Sequence, residues 1–156
     1  MYELFKYNWQ MREDWFKWCE DLSNDELIKK RTGGMGSILR NIFHVIDCEQ
    51  LWINQMKGTP VIQKDINTIT SLNEIKEFST LTKTVTEQFI LDYIERNDKK
   101  IHVYQKNNGE ELHFSYEKIL HHIMTHEIHH MGQLSVWARE IGKKPVPSDL
   151  MLKDLF

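Results

Sequence analysis

Three observations predict an all-α protein built as a four-helix bundle: four amphipathic stretches at helical spacing, no pattern of parallel strands, and one small hairpin-like segment between the third and fourth stretches. A chain of 156 residues with this pattern reads as one domain over 1–156. The first helix, about Tyr2 to Asp21, carries Leu4, Met11, Trp15, Trp18 and Leu22 in steps of three, four and seven, with Phe5, Trp9, Phe16 and Cys19 widening the stripe. Gly33, Gly34 and Gly36 follow. No strand precedes them and no Gly-Lys-Ser/Thr comes after, so they read as a turn that delivers Ser37 as a helix cap, not as a phosphate loop. The second helix runs from Ser37 to Lys57 and stops at Gly58, with Pro60 beyond. A loop from Gly58 to Thr70 leads to Ser71 and Glu74, a capping box that opens the third helix with Ile75, Phe78, Thr82, Val85, Phe89 and Tyr93 on one face. Short alternations on either side of Asn108 and Gly109 predict the hairpin, an ornament with a mobile tip. The fourth helix starts after Ser115 and ends near Glu140, where Gly142, Pro145 and Pro147 prevent continuation, and Lys143 to Phe156 reads as packed coil.

Composition narrows function. The net charge is −3 and no basic run exceeds Lys29, Lys30 and Arg31, so nucleic acid is not an expected partner. No segment has the apolar length of a membrane span, and MYELFKYNWQ lacks the pattern of a signal peptide, which places the expected location in the cytoplasm with no membrane partner. Cys19 and Cys48 form no CxxC pair and read as buried thiols. A chain of this length buries ~70% of its unfolded surface and needs no metal merely to hold a core.

Histidine placement is the strongest chemical signal. Five of eight histidines fall in HHIMTHEIHH, and at about 100° per residue His122, His126 and His130 share a sector with Ile119, Gln133 and Trp137, while His121 and His129 diverge. Positions i and i+4 bring His126 and His130 together as a ligand pair. His44, set among Ile42, Phe43, Val45 and Ile46 on the second helix, supplies the third vertex of an interhelical site with open positions for water or substrate. The same segment satisfies HExxH, which would make Glu127 a hydrolytic base. No histidine follows His130, leaving Glu140, Asp149 and Asp154 as downstream ligands, so Glu127 reads better as an outer-shell or interface carboxylate. Trp9, Trp15, Trp18, Trp52 and Trp137 read as core by their spacing.

The pattern THEIHHMGQL (Thr125 to Leu134), preceded by Leu120-His121-His122 and partnered with NIFHVIDCEQLW (Asn41 to Trp52), resembles the DinB/YfiT-like superfamily of metal-binding helical bundles over nearly the whole chain. The resemblance implies an up-down-down-up topology, a homodimer, and metal ligation by His44, His126 and His130. Met131 stands where many relatives carry arginine. Some relatives are thiol S-transferases, so the resemblance implies a metal serving a low-molecular-weight thiol and a small electrophile; three imidazoles suit zinc, nickel, iron or copper, with one divalent ion per chain, zinc or nickel, as the working expectation. Two alternatives accompany it: a metal-dependent hydrolase using the HExxH site, and a non-catalytic metal-dependent binding or stress-response module.

Overall fold

The computed structural model describes residues 1–97 and 99–155. Its α-helices are α1 (Tyr2–Glu20), α2 (Asn24–Ile28), α3 (Ile38–Lys57), α4 (Leu72–Arg96) and α5 (Tyr116–Glu140), with an antiparallel hairpin, β1 (Ile101–Gln105) and β2 (Glu111–Ser115), before α5. The protein is thus predominantly helical with one small hairpin, as expected. The predicted helix starts are real caps: the side chains of Ser37, Ser71 and Ser115 each accept from the backbone N–H three residues on, satisfying a donor that the helix leaves orphaned. Gly58 ends α3 in the left-handed conformation at φ +69, as its position just past the last turn requires.

Each long helix packs on two others, α3 on α4 and α5, and α1 on the same pair. The core between them falls into two apolar clusters. One gathers Met11, Trp15, Phe16, Ile42, Phe43, Ile46 and Trp137, and the other Phe5, Trp9, Ile53, Ile90, Leu120 and Ile123. Trp9, Trp15 and Trp137 are core residues as the spacing predicted, whereas Trp18 and Trp52 are only partly buried.

Three features depart from the sequence reading. Asn24–Ile28 forms a one-turn helix capped by Ser23, too short to show a period. The loop after Gly58 contains a 3₁₀ turn at Ile66–Thr68, and the tail another at Leu150–Leu152. The tail otherwise packs along α1: the Tyr7 hydroxyl donates to the Ser148 carbonyl at 2.6 Å, Lys153 pairs with Asp14 at 2.7 Å, and Lys6 donates to the Leu155 carbonyl at 2.6 Å. Phe156, the end of that predicted coil, lies outside the described residues. Among the described residues, no helix is long and apolar enough to cross a membrane.

Candidate metal centre

The α5 stripe faces α3, and this brings His44, 82 residues away in sequence, against His126 with their Nε2 atoms 3.2 Å apart. The His130 ring completes the group: ring centroids are 4.8 Å apart for His44 and His130 and 4.5 Å for His126 and His130. One ring nitrogen from each lies within 4.8 Å of the others. All three sequence-predicted ligands therefore meet at one point.

The spacing suits an ion. Two imidazole nitrogens bound tetrahedrally at ~2.05 Å from one divalent metal lie about 3.3 Å apart, close to the His44 to His126 separation. Without a cation, two ring nitrogens at that distance are satisfied only if one carries a hydrogen toward the other. His130 is oriented independently. Its Nδ1 faces Asn41 Oδ1 at 3.1 Å and Gln133 Oε1 at 2.8 Å, both acceptors, so Nδ1 carries the proton and Nε2 keeps its lone pair for the centre. The two amides are themselves fixed, because Asn41 Nδ2 donates to the His130 carbonyl at 2.8 Å and Gln133 Nε2 lies 3.2 Å from His129 Nε2. Sequence reading missed Asn41 altogether. It placed Gln133 on the histidine face without assigning it work.

The glycine turn has a function beyond reversing the chain. Gly34 has φ +48, and a Cβ there would lie 2.7 Å from both Asn41 Oδ1 and Gln133 Oε1 and 3.0 Å from the Trp137 ring. Trp137 holds the turn by donating its indole N–H to the Thr32 carbonyl at 3.2 Å. Gly34→Ala is expected to cost about 1–2 kcal/mol through its left-handed backbone, and to weaken metal binding ~10–100-fold, the usual effect of losing an outer hydrogen-bond partner. Gly33, at φ +84 with nothing near its Cβ position, is the control. Gly33→Ala should carry the backbone cost with metal affinity unchanged, and equal affinities in the two variants would show that the Gly34 contact does not hold the amides.

All three imidazoles titrate below the ordinary histidine range. Burial is the leading cause at each, and at His126, pushed down to about 4, the neighbouring His130 and His44 add to it. The sites are therefore neutral, ligand-ready imidazoles at neutral pH. An unfolded histidine takes its proton near 6.5 and folded His126 only near 4, so between these values the unfolded chain binds more protons. The metal-free protein is expected to hold its full stability above that window and to lose it progressively as pH falls through it. Thermal melts on both sides of the window test this, and the acid loss should shrink in His126→Asn. An equal loss in both proteins would place its origin elsewhere.

Glu127 does not join the centre. Its two oxygens accept from Arg12 Nε at 3.0 Å and Nη2 at 2.7 Å, and Arg12 Nη2 also donates to Glu49 Oε2 at 2.9 Å. Arg12 Nη1 reaches Ser79 Oγ at 3.3 Å and the Trp9 indole donates to Glu49 Oε2 at 3.2 Å, so the cluster joins α1, α3, α4 and α5. A carboxylate clamped on a guanidinium in the core is not free to act as the base of an HExxH site, and its contacts fit the interface role. Of the two thiols, Cys19 is buried and Cys48 partly buried, and burial pushes both up to about 12, so each stays protonated.

An interhelical trio of neutral histidines, held between α3 and α5, defines a class of helical proteins whose site is suited to a divalent metal. Comparison with known proteins is consistent with this: the DinB family profile matches residues 1–155, and the chain belongs to the DinB family. It is 39% identical over 157 residues to a Bacillus subtilis protein named "Uncharacterized protein YizA", covering 99% of this chain and 96% of that protein. To "Protein DinB" of the same organism it is 21% identical over 155 residues, covering 95% and 90%.

Proposed function

We propose that this chain binds one divalent transition metal, zinc or nickel, through His44, His126 and His130, and that it transfers a low-molecular-weight thiol to a small electrophile. The observation that carries the metal reading is the 3.2 Å approach of the two Nε2 atoms beside a third imidazole whose Nδ1 is already committed. A divalent ion held there would supply the positive charge that favours the anionic form of a ligated thiol. The chain's own contribution is to keep three imidazoles neutral and to fix their orientation. With Cys19 and Cys48 protonated and Glu127 held on Arg12, neither thiol acts as a thiolate nucleophile and Glu127 is not a free base, which favours a reaction whose nucleophile arrives with the cosubstrate.

The reading extends to architecture. The contacts of α1 and α3 with α4 and α5 support an up-down-down-up bundle, and the exposed Ile128 and Val136 on α5 support pairing with a second copy.

The test is a zinc- or nickel-loaded protein incubated with bacillithiol or another small thiol and an aryl chloride. The thiol sulfur forms a bond to the ring carbon, the carbon–chlorine bond breaks, chloride leaves and the thiol proton passes to solvent. Thioether formation that requires metal and disappears in His126→Ala is the expected result, and no metal-dependent adduct across a broad thiol panel would overturn the transferase reading.

A further inference from the structure

The groove between α3 and α5 does not end at the histidine trio. His44, Cys48 and Trp52 follow one another at single-turn steps on α3, and His130, His126 and His122 do the same on α5. The His122 ring lies 5.4 Å from the His126 ring, about one helical turn along α5. It meets Trp52 edge-on at 6.2 Å. Beyond that pair opens a cavity of about 200 Å³ bounded by Trp52, Phe114, Lys118, Ile119 and His122.

Its walls come from three elements and are held in place. From the hairpin, Tyr104, His102 and Phe114 pack on Trp52 at 5.8, 6.2 and 6.4 Å, so the strands expected to be an ornament instead brace one side of the cavity. Ile119 is buried, and Lys118 lies against the Phe114 ring with its Nζ 5.5 Å from the centroid. An indole, a phenyl ring and an isoleucine leave little for a polar ligand to bond, and the Lys118 ammonium at the rim disfavours a cation.

Size sets the occupant. A dry apolar cavity of ~150 Å³ accepts benzene, so this one has room for a single aromatic ring and part of a linker. Edge and face contacts with Trp52 and Phe114 favour an aryl ring over an alkyl chain of similar size. We infer that the Trp52–Phe114–Ile119–His122 cavity is the subsite for an aryl group of the molecule that engages the histidine centre, joined to its ligating head by a short linker. This rests on the metal-binding reading above, because the neighbouring centre is what makes the cavity part of a larger site.

The experiment measures binding of 3-phenylpropane-1-thiol, hexane-1-thiol and propane-1-thiol to the zinc-loaded full chain by calorimetry, with zinc content assayed in the same samples. The aryl thiol is expected to bind at least tenfold more tightly than propanethiol, with hexanethiol between them. In Trp52→Ala, or in Phe114→Ala should the first fail to fold, that preference should fall below about twofold while zinc content and propanethiol affinity are retained. Zinc bound with no aryl preference, hexanethiol equal to the aryl thiol, a preference that survives either folded variant, or no thiol bound at all would overturn the inference and leave the metal site standing. A wild-type chain that holds no zinc would overturn the metal reading and, with it, the linked subsite.

Discussion

Replacing both His126 and His130 by alanine is expected to abolish stoichiometric metal binding while leaving the helical fold intact. His44→Ala should lower affinity by more than the ~10–100-fold that loss of an outer hydrogen-bond partner costs. The reason is geometric: two of three ligand nitrogens disappear in the first variant, and in the second the remaining pair loses the one ligand supplied by another helix. His44 and His126 are only partly buried, so their truncation opens little core, whereas His130 is 8% exposed and circular dichroism of the double variant checks that its helices survive the loss. Elemental analysis of untagged protein purified without added metal reads the stoichiometry. Thermal melting gives an independent measure, because a ligand at a hundred times its Kd stabilises the native state by ~2.7 kcal/mol, which for a chain of this size raises Tm by about 5–11 °C. That metal-induced rise should be present in the parent and absent in the double variant. Full metal content in a folded His126→Ala/His130→Ala protein would remove the centre proposed here, and an equal Tm response in both would do the same.

The outer contacts predict a graded companion result. Asn41→Ala and Gln133→Ala each leave one acceptor on His130 Nδ1, so each should weaken binding less than loss of a ligand. A titration of metal affinity across these variants distinguishes orientation from ligation.

How much of this centre was legible before folding follows from what periodicity can and cannot encode. A helix repeats its faces whatever its surroundings, so Ile119, His122, His126, His130, Gln133 and Trp137 could be assigned to one side of α5, and the structure sets that side against α3 and the glycine turn. Caps are equally local, and those at Ser37, Ser71 and Ser115 were readable for that reason. Contacts between distant segments are not. Gly34 could be read as a turn residue, but its approach to Asn41 and Gln133 depends on where α5 passes the turn. The alternation on either side of Asn108 predicted two strands without revealing that their rings would back Trp52. Glu127 could be assigned to a helix and a motif, while its true partner sits 115 residues earlier on the buried face of α1.

That partner carries the largest expected effect on stability. Arg12 is 1% exposed, with Glu49 at 0% and Glu127 at 1%, so removing the guanidinium strands two carboxylates in the core with no cation between them. Breaking a buried pair in this way typically costs about 3–5 kcal/mol, and Arg12→Met should therefore lower Tm by roughly 6–20 °C. The loss should depend on pH in a particular direction. Burial already holds the Glu127 carboxyl above the usual carboxylate range, more strongly than Arg12 pulls it down, and the nearby Glu49 adds to the upward push. Without Arg12 the shift grows. A folded-state pKa raised above the unfolded value means the native state binds more protons, so this group's contribution is fully present below the unfolded pKa and is lost as pH rises through the folded one. Arg12→Met should accordingly be least impaired in mild acid and most impaired at neutral and alkaline pH, opposite to the trend expected from the histidines. An apolar replacement of all three, Arg12→Met/Glu49→Leu/Glu127→Leu, should recover much of the loss, because buried ion clusters exchanged for well-packed hydrophobic side chains are often neutral or stabilising. Chemical denaturation of the three proteins across the pH range measures both effects. A single variant as stable as the parent, or one whose deficit deepens in acid, would show that the cluster does not carry the buried charge assigned to it.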